Sequence, residues 1–555
     1  MAFQLSPGVQ TSEVDLTTVV PSVATTIGGL AGDFAWGPVN EVTIITDELQ
    51  LANRFGKPND STYETFFTAA NFLSYGSDLR VVRAVGAGAL NAATGTAVLI
   101  ENETDYQQNH SANTAGETFY AKYPGTLGNS IRVSMVDSNT YTGWTYADNF
   151  DSAPATSEFA TRRSSSNDEM HIVVVDTIGQ ISGTANTILE RFGYVSKASD
   201  AKASDGSSNY YKDVINNRSK YLWWGGHRLG NWGTAASGAV SYAVLSANVT
   251  LTLSNGADVS PVAANTSTAL DLFANADSID VSLLMAGATN SAVIPNKLVA
   301  LAESRKDCMV FISPDKADVV DNAGSESVDI TSTVASFTSS SYAVVDSGWK
   351  YQYDKYNDVY RWVPLNGDIA GLCVRTDNER DPWFSPAGTT RGVIKNVVKL
   401  AWNPNKAERD SLYQKGVNSV VTFPGEGTIL YGDKTFLNRP SANAFDRINV
   451  RRLFIVLEKS IARAARSSLF EFNDDFTRAA FVNLVEPYLR DVKGRRGVYD
   501  YRVVCDTTNN TGEVIDRNEF VGDIYIKPAR SINFIQLNFV AVRTGVAFEE
   551  VVGKF

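Results

Sequence analysis

The residues best suited to chemistry are scarce in this 555-residue chain, and their spacing is unhelpful to catalysis. His110, His171 and His227 are scattered and form no HExxH pattern. Cys308, Cys373 and Cys505 stand singly among apolar neighbours, with no CxxC pair. Zinc needs clustered His and Cys ligands, so no metal site of protein ligands is expected. The cysteines offer no disulfide framework, which makes a reducing compartment the default. Histidine is also the commonest general base near neutral pH, so three scattered ones lower the expectation of acid–base catalysis. No GxSxG supports a nucleophile elbow. Carboxylates such as Asp277, Asp280 and Asp368 are plentiful, but in an acidic chain they are expected as turn residues and helix caps.

One stretch approaches a nucleotide motif. GTILYGDKT, Gly427–Thr435, differs from a phosphate-binding loop by one extra residue, Asp433. Such a loop wraps backbone N–H groups around phosphate, whereas Thr-Ile-Leu-Tyr is strand material and an acid would sit beside the anion. A strand and turn is expected. Gly28-Gly29-Leu30-Ala31-Gly32 lacks GxGxxG spacing and reads as a strand that another backbone approaches closely. No catalytic residue, cofactor site or metal site emerges.

A different signal stands out. Arg447, Arg451, Arg452, Lys459, Arg463 and Arg466 face a single acid, Glu458, within twenty residues of a chain whose net charge is −12. At about 100° per helical residue these cations span an arc of roughly 160°. Val450, Leu453, Phe454, Leu457, Ile461 and Ala464 take the opposite arc, so the helix is expected to pack by one face and present the other. Ile448 and Ile455 lie among the cations and give the basic face an apolar centre. That combination suits docking on an acidic protein surface. Nucleic acid fits less well, because the chain is acidic and no groove-reading pattern accompanies the cations.

The elements around this helix define a multi-domain α/β plus α+β chain, and its length allows three or four units at about 150 residues each. An extended arm is expected over residues 1–20. A mostly parallel α/β outer domain is expected over 21–89 and 265–385, from alternating strands and helices: Leu79–Val85, Ile279–Gly287, Ile294–Arg305, Cys308–Ile312 and Tyr342–Val345. Between its halves, residues 90–264 are rich in Ser, Thr, Asn, Asp and Gly and read as a β-rich, surface-facing insertion, with Thr156–Asp168 the best candidate for disorder. The break TDNERDPWFSPAG, Thr376–Gly388, suggests a junction. Residues 386–542 then read as an inner α+β domain bearing the basic amphipathic helix, from Asp446 to about Phe472, and a second helix over Asp474–Lys493 with Pro487 as a kink. Residues 543–555 form a C-terminal arm. Met1–Ser6 has neither the basic start nor the apolar core of a signal peptide, and no apolar run is long enough for a membrane span.

Both ends are strand-like. Val9, Val14 and Leu16 at one end, and Val546, Phe548 and Val551 at the other, exceed what frayed termini contain. Arms of this kind pair with open sheet edges of neighbouring molecules through main-chain hydrogen bonds.

Seven segments, in order, resemble the tail sheath proteins of contractile bacteriophage tails and related injection systems. They are the opening SPGVQTSEVDLT, FAWGPVNE (Phe34–Glu41), YAKYPGTLGNSIRV (Tyr120–Val133), DEMHIVVVDTIGQISG (Asp168–Gly183), DPWFSPAG (Asp381–Gly388), FDRINVRRLFIVLEKSI (Phe445–Ile461) and KPARSINFIQLNFVAV (Lys527–Val542). The resemblance implies a structural subunit without an enzymatic step. It implies six-membered rings of the chain stacked around an inner tail tube, contracting to drive the tube through the host envelope. Inner domain and basic helix would face the tube, the arms would add strands to neighbouring subunits, and baseplate and tail terminator proteins would bound the sleeve. Neither nucleic acid nor membrane would be contacted by this chain, which would reside in the virion after assembly in the host cytoplasm. The competing reading is an α/β enzyme, nucleotide-binding or hydrolytic, with Gly427–Thr435 as its only local support.

Overall fold

The computed structural model describes residues 20, 23–112, 114, 116–437, 443–533 and 536. Val9, Val14, Leu16, Val546, Phe548 and Val551, and most of the closing segment 532–542, lie outside the described residues. The chain divides into two compact units, Met1–Phe472 and Asn473–Phe555.

The first unit is built on a seven-stranded sheet. Its strands are β1 (Gly28–Gly32), β2 (Val42–Ile45), β3 (Leu79–Arg83), β4 (Leu283–Met285), β5 (Met309–Ile312), β6 (Ala343–Asp346) and β7 (Val417–Asn418). The spatial order is β7-β6-β5-β4-β1-β3-β2. Every pairing is parallel except β2 with β3. Parallel sheets bury both faces, which explains runs such as MVFI. Met309 and Phe311 enter one core with Phe72 and Leu372, while Val310 and Ile312 enter the other with Leu298 and Ala302. Helices α1 (Tyr63–Leu73) and α3 (Asn366–Glu379) supply the first layer, and α2 (Val293–Arg305) the second.

β1 is the glycine cluster, and its close neighbours are side chains rather than the expected backbone. A Cβ at Gly28 would lie 2.6 Å from the Phe72 ring, and one at Gly29 2.7 Å from a Leu284 methyl. At that separation packed groups must shift, so the glycines let helix and strand side chains seat directly on the sheet.

The junction expected near residue 385 does not fall there. β7 lies beyond it and pairs with β6, Val345 opposite Val417. The stretch before it is α3, buried on nearly every side from Asn366 to Val374. A helix buried all round carries no amphipathic stripe, which is why its sequence did not announce it. An antiparallel hairpin, Trp349–Asp354 with Val359–Pro364, was likewise not anticipated.

The insertion is β-rich. A four-stranded antiparallel sheet has the order Thr187–Ser196, Glu169–Asp176, Ile131–Asp137, Val249–Thr252. Thr156–Asp168 is packed rather than disordered. The buried Asp168 carboxylate accepts hydrogen bonds from Ser157 N–H at 2.8 Å, Ser157 Oγ at 2.7 Å and Ser196 Oγ at 2.6 Å, tying the segment to the sheet. Lys197 Nζ meets Asp137 at 2.9 Å with both side chains fully enclosed.

The second unit is smaller. Helix α5 (Asp475–Gly494) contains Pro487 and buries Phe481, Leu484, Val485, Leu489 and Val492. A hairpin of Val498–Val504 with Asp523–Pro528 packs on it. Phe481 meets Phe520 edge-on with 5.5 Å between ring centres.

Candidate assembly interface

The basic helix is α4 (Ile448–Ala465), shorter than expected because Arg466–Ser468 tightens into a 3-10 turn. Its expected division into an apolar packed face and a free basic face is not what forms. Ile448 and Ile455, the apolar centre of the cationic arc, belong to the main core with Leu283 and Phe311. Val450, Leu453, Leu457 and Ile461 on the other arc are buried as well. Enclosed on both arcs, α4 must satisfy its cations internally, since an unpaired buried charge is very costly.

Each inner cation has its own solution. Arg447 Nη1 lies 3.0 Å from Asp433 Oδ1 and also bonds Tyr413 Oη. Arg451, only 7% exposed, donates to Ser341 Oγ at 2.7 Å. Its guanidinium sits 3.8 Å over the Phe445 ring and 4.3 Å over that of Tyr342. Arg452, 4% exposed, forms a two-pronged pair with Asp377, both bonds 2.7 Å. Burial disfavours its charged form, but the Asp377 carboxylate outweighs that and leaves its pKa above the ordinary arginine value. Lys459 pairs with Asp280.

Of the six cations, only the two nearest the C-terminal end are exposed. Arg463 is exposed with no ion-pair partner among the described residues, and Arg466 makes an exposed contact of 3.2 Å with Asp277. The exposed basic face expected from all six residues is thus reduced to these two within the described structure. The acids that neutralise the helix were missed as a set. Asp277 and Asp280, expected as turn residues and helix caps, pair with Arg466 and Lys459, whereas Asp368 lies fully buried against Lys350 at 2.9 Å. Their partners are up to 189 residues away in sequence, so no local pattern could reveal them.

Elsewhere the catalytic candidates resolve into structure. Gly427–Leu430 is a strand antiparallel to Val420–Phe423. Lys434 Nζ donates to the Tyr413 carbonyl at 2.8 Å, and Thr435 Oγ1 to the Phe445 carbonyl at 2.6 Å. The would-be phosphate ligands are thus spent on the chain's own backbone. Burial pushes the Cys308 and Cys373 thiols up to about 12 and keeps them protonated at neutral pH. His227 is pushed down to about 4 by burial, aided by the Lys212 charge, and its ring is held by the Tyr210 and Tyr211 hydroxyls. Among the described residues no group of three or more His, Cys, Asp or Glu is placed to hold a metal ion, and no helix is long and apolar enough to cross a membrane.

The second unit presents the opposite character. Its two-stranded hairpin has both outer edges unpaired among the described residues. Tyr499 is 68% exposed and Tyr525 59% exposed. An isolated hairpin is marginal in water, and open edges are templates for further strands.

Solved structures share this architecture. The sheath tail protein of Listeria innocua matches with a TM-score of 0.54 and 11% identity, over 91% of this chain and 96% of its own. The helical sheath of the anti-feeding prophage in its contracted state matches with a TM-score of 0.51 and 14% identity, over 97% and 99%. In sequence, residues 25–84 match the tail sheath protein Gp18 domain III N-terminal region, 263–436 the phage tail sheath protein central domain, and 441–541 the phage tail sheath C-terminal domain. The tail sheath protein of Enterobacteria phage T4 is 35% identical over 99% of both chains, and that of Vibrio phage KVP40 is 34% identical over 99% of this chain and all of its own. The chain belongs to the phage tail sheath protein family. It is a structural subunit of a contractile tail sheath, and the enzyme reading is set aside.

Proposed function

We propose that the chain assembles as stacked six-membered rings around an inner tail tube, and that strands exchanged between subunits hold the sleeve together while it contracts. The observation that carries this reading is the hairpin Val498–Val504 with Asp523–Pro528, whose outer edges are unpaired among the described residues. The β-branched terminal segments around Val9, Val14, Leu16, Val546, Phe548 and Val551 have the composition to fill such edges in neighbouring copies. Contraction then relaxes a metastable packing to a lower-energy one while the exchanged strands stay paired, and no nucleotide is consumed.

The exposed Arg463 and Arg466 are the part of the basic helix left to meet an acidic tube surface. Arg447, Arg451, Arg452 and Lys459 serve that contact indirectly, by fixing α4 to the first unit. Baseplate and tail terminator proteins close the two ends of the sleeve. The finished sheath is part of the virion, assembled beforehand in the host cytoplasm. Electron microscopy of purified full-length protein tests the reading. Tubes or ring stacks are expected, and deleting residues 1–18 or 545–555 should abolish them while leaving folded monomer. Ordered polymer surviving both deletions would sink the strand-exchange proposal.

A further inference from the structure

Residues 23–27, which follow the N-terminal arm in sequence and lead into β1, make contacts that reach beyond the sheet. Ser282 Oγ donates to the Ala24 carbonyl at 3.0 Å, and the Ser282 and Leu283 N–H groups both donate to the Ile27 carbonyl, at 2.9 and 3.0 Å. These bonds seat the root against β4. A further bond goes elsewhere: Thr25 Oγ1 donates to Asp377 Oδ2 at 2.6 Å. That oxygen also accepts from Arg452 Nη2 at 2.7 Å, while Asp377 Oδ1 accepts from Arg452 Nη1 at 2.7 Å. One buried carboxylate on α3 thus holds the arm root and α4 together. Thr25 and Ala24 line one wall of a small cleft whose other wall includes Arg452, Ile455 and Val456 of the helix.

We propose that Thr25, Asp377 and Arg452 form a latch coupling the root of the N-terminal arm to the basic helix, so that displacement of the arm is felt at α4 and not only along β1. The proposal rests on the strand-exchange reading for its purpose, since an arm held by a neighbour is what would be displaced during contraction. Its geometry does not depend on that reading. Arg452 suits the role because a planar guanidinium fixes a carboxylate in one orientation, leaving an Oδ2 lone pair aimed at the threonine hydroxyl. Without the arginine, the buried Asp377 would have neither the charge partner nor the orientation to hold Thr25.

The test is amide hydrogen exchange, read by mass spectrometry, on monomeric full-length protein carrying Thr25→Val, Arg452→Gln or both. Thr25→Val removes one hydrogen bond to a charged group and should speed exchange over residues 23–28 roughly tenfold. Arg452→Gln, more than seventy residues beyond Asp377 in sequence, should speed the same amides by a similar factor. Adding Thr25→Val to it should then change little, because coupled residues give non-additive effects. If Arg452→Gln reduces the yield of folded protein, Arg452→Lys keeps the charge without the planar fork and should give a partial version of the same non-additivity. Exchange over residues 23–28 that is unchanged by either Arg452 substitution, or a full additive effect in the double variant, would overturn the latch. The deletion of residues 1–18 is scored separately by polymer formation, so strand exchange can fail while the latch stands, and the latch can fail while strand exchange stands.

Discussion

Two long helices lie nine residues apart in sequence and have opposite surroundings. Helix α4 is enclosed on both arcs, and Arg447, Arg452 and Lys459 are neutralised by acids from distant parts of the same unit. Helix α5 packs on a two-stranded hairpin and leaves Phe476 83% exposed. The contrast separates two jobs that a helical polymer needs. One region must keep its internal geometry when the lattice changes, and cations paired inside a core do this because any displacement strands a charge. On the proposed assembly the other accepts strands from neighbouring copies, and its hairpin has edges unpaired among the described residues.

The largest effect that would sharpen this contrast comes from breaking α4 from within. Arg452→Ala leaves Asp377 buried and uncompensated and should cost about 3–5 kcal/mol in urea unfolding of the first unit. A loss under 1 kcal/mol would mean that the helix is not locked by its ion pairs. In the second unit, Phe481→Ala removes the ring that meets Phe520 and should cost about 3 kcal/mol. Because the chain divides into two compact units, the loss should be confined to residues 473–533 when hydrogen exchange is followed peptide by peptide. Spread of the destabilisation into the sheet of the first unit would break the division.

A smaller effect tests the first unit by pH. Burial raises the Asp346 carboxyl to about 8, so the folded state holds a proton that the unfolded state releases near 4. Stability from this group is present below pH 4 and is lost as pH rises to about 8, with a slope of at most about 1.4 kcal/mol per unit. Asp346→Asn, which keeps an acceptor for Gly348 N–H though it replaces the oxygen that accepts from Ser313 Oγ, should flatten that slope between pH 5 and 8. An unchanged slope would show that the carboxyl is not held protonated. The smallest effect on folding is expected at the open end of α4. Arg463→Glu with Arg466→Glu should shift monomer stability by no more than about 0.5 kcal/mol, yet weaken assembly on the tube and its dependence on salt. Reversing Arg451, Arg452 and Lys459 instead would test the fold, because these residues are structural.

How far the sequence could be read follows from the range of the forces involved. Strands such as Leu79–Arg83 and Met309–Ile312, and the helix Val293–Arg305, announced themselves through local periodicity. Helix α3 was invisible because burial on all sides erases the pattern that marks a helix. The basic face of α4 was misjudged for a related reason. A helical wheel shows where charges point, but Asp377, Asp280 and Asp433, which decide whether those charges are free, come from other segments. Ile448 and Ile455 among the cations were the clue, since isoleucines on a solvated face would have been left exposed.

On the proposed assembly, the second unit is completed by other copies of the chain. A cryo-EM map of sheath assembled from the full-length protein tests it directly. The account predicts added strands from neighbouring subunits beside the hairpin of Val498–Val504 and Asp523–Pro528, with the Arg452–Asp377 pair intact within each subunit. An ordered sheath in which both edges of that hairpin face only solvent would contradict it.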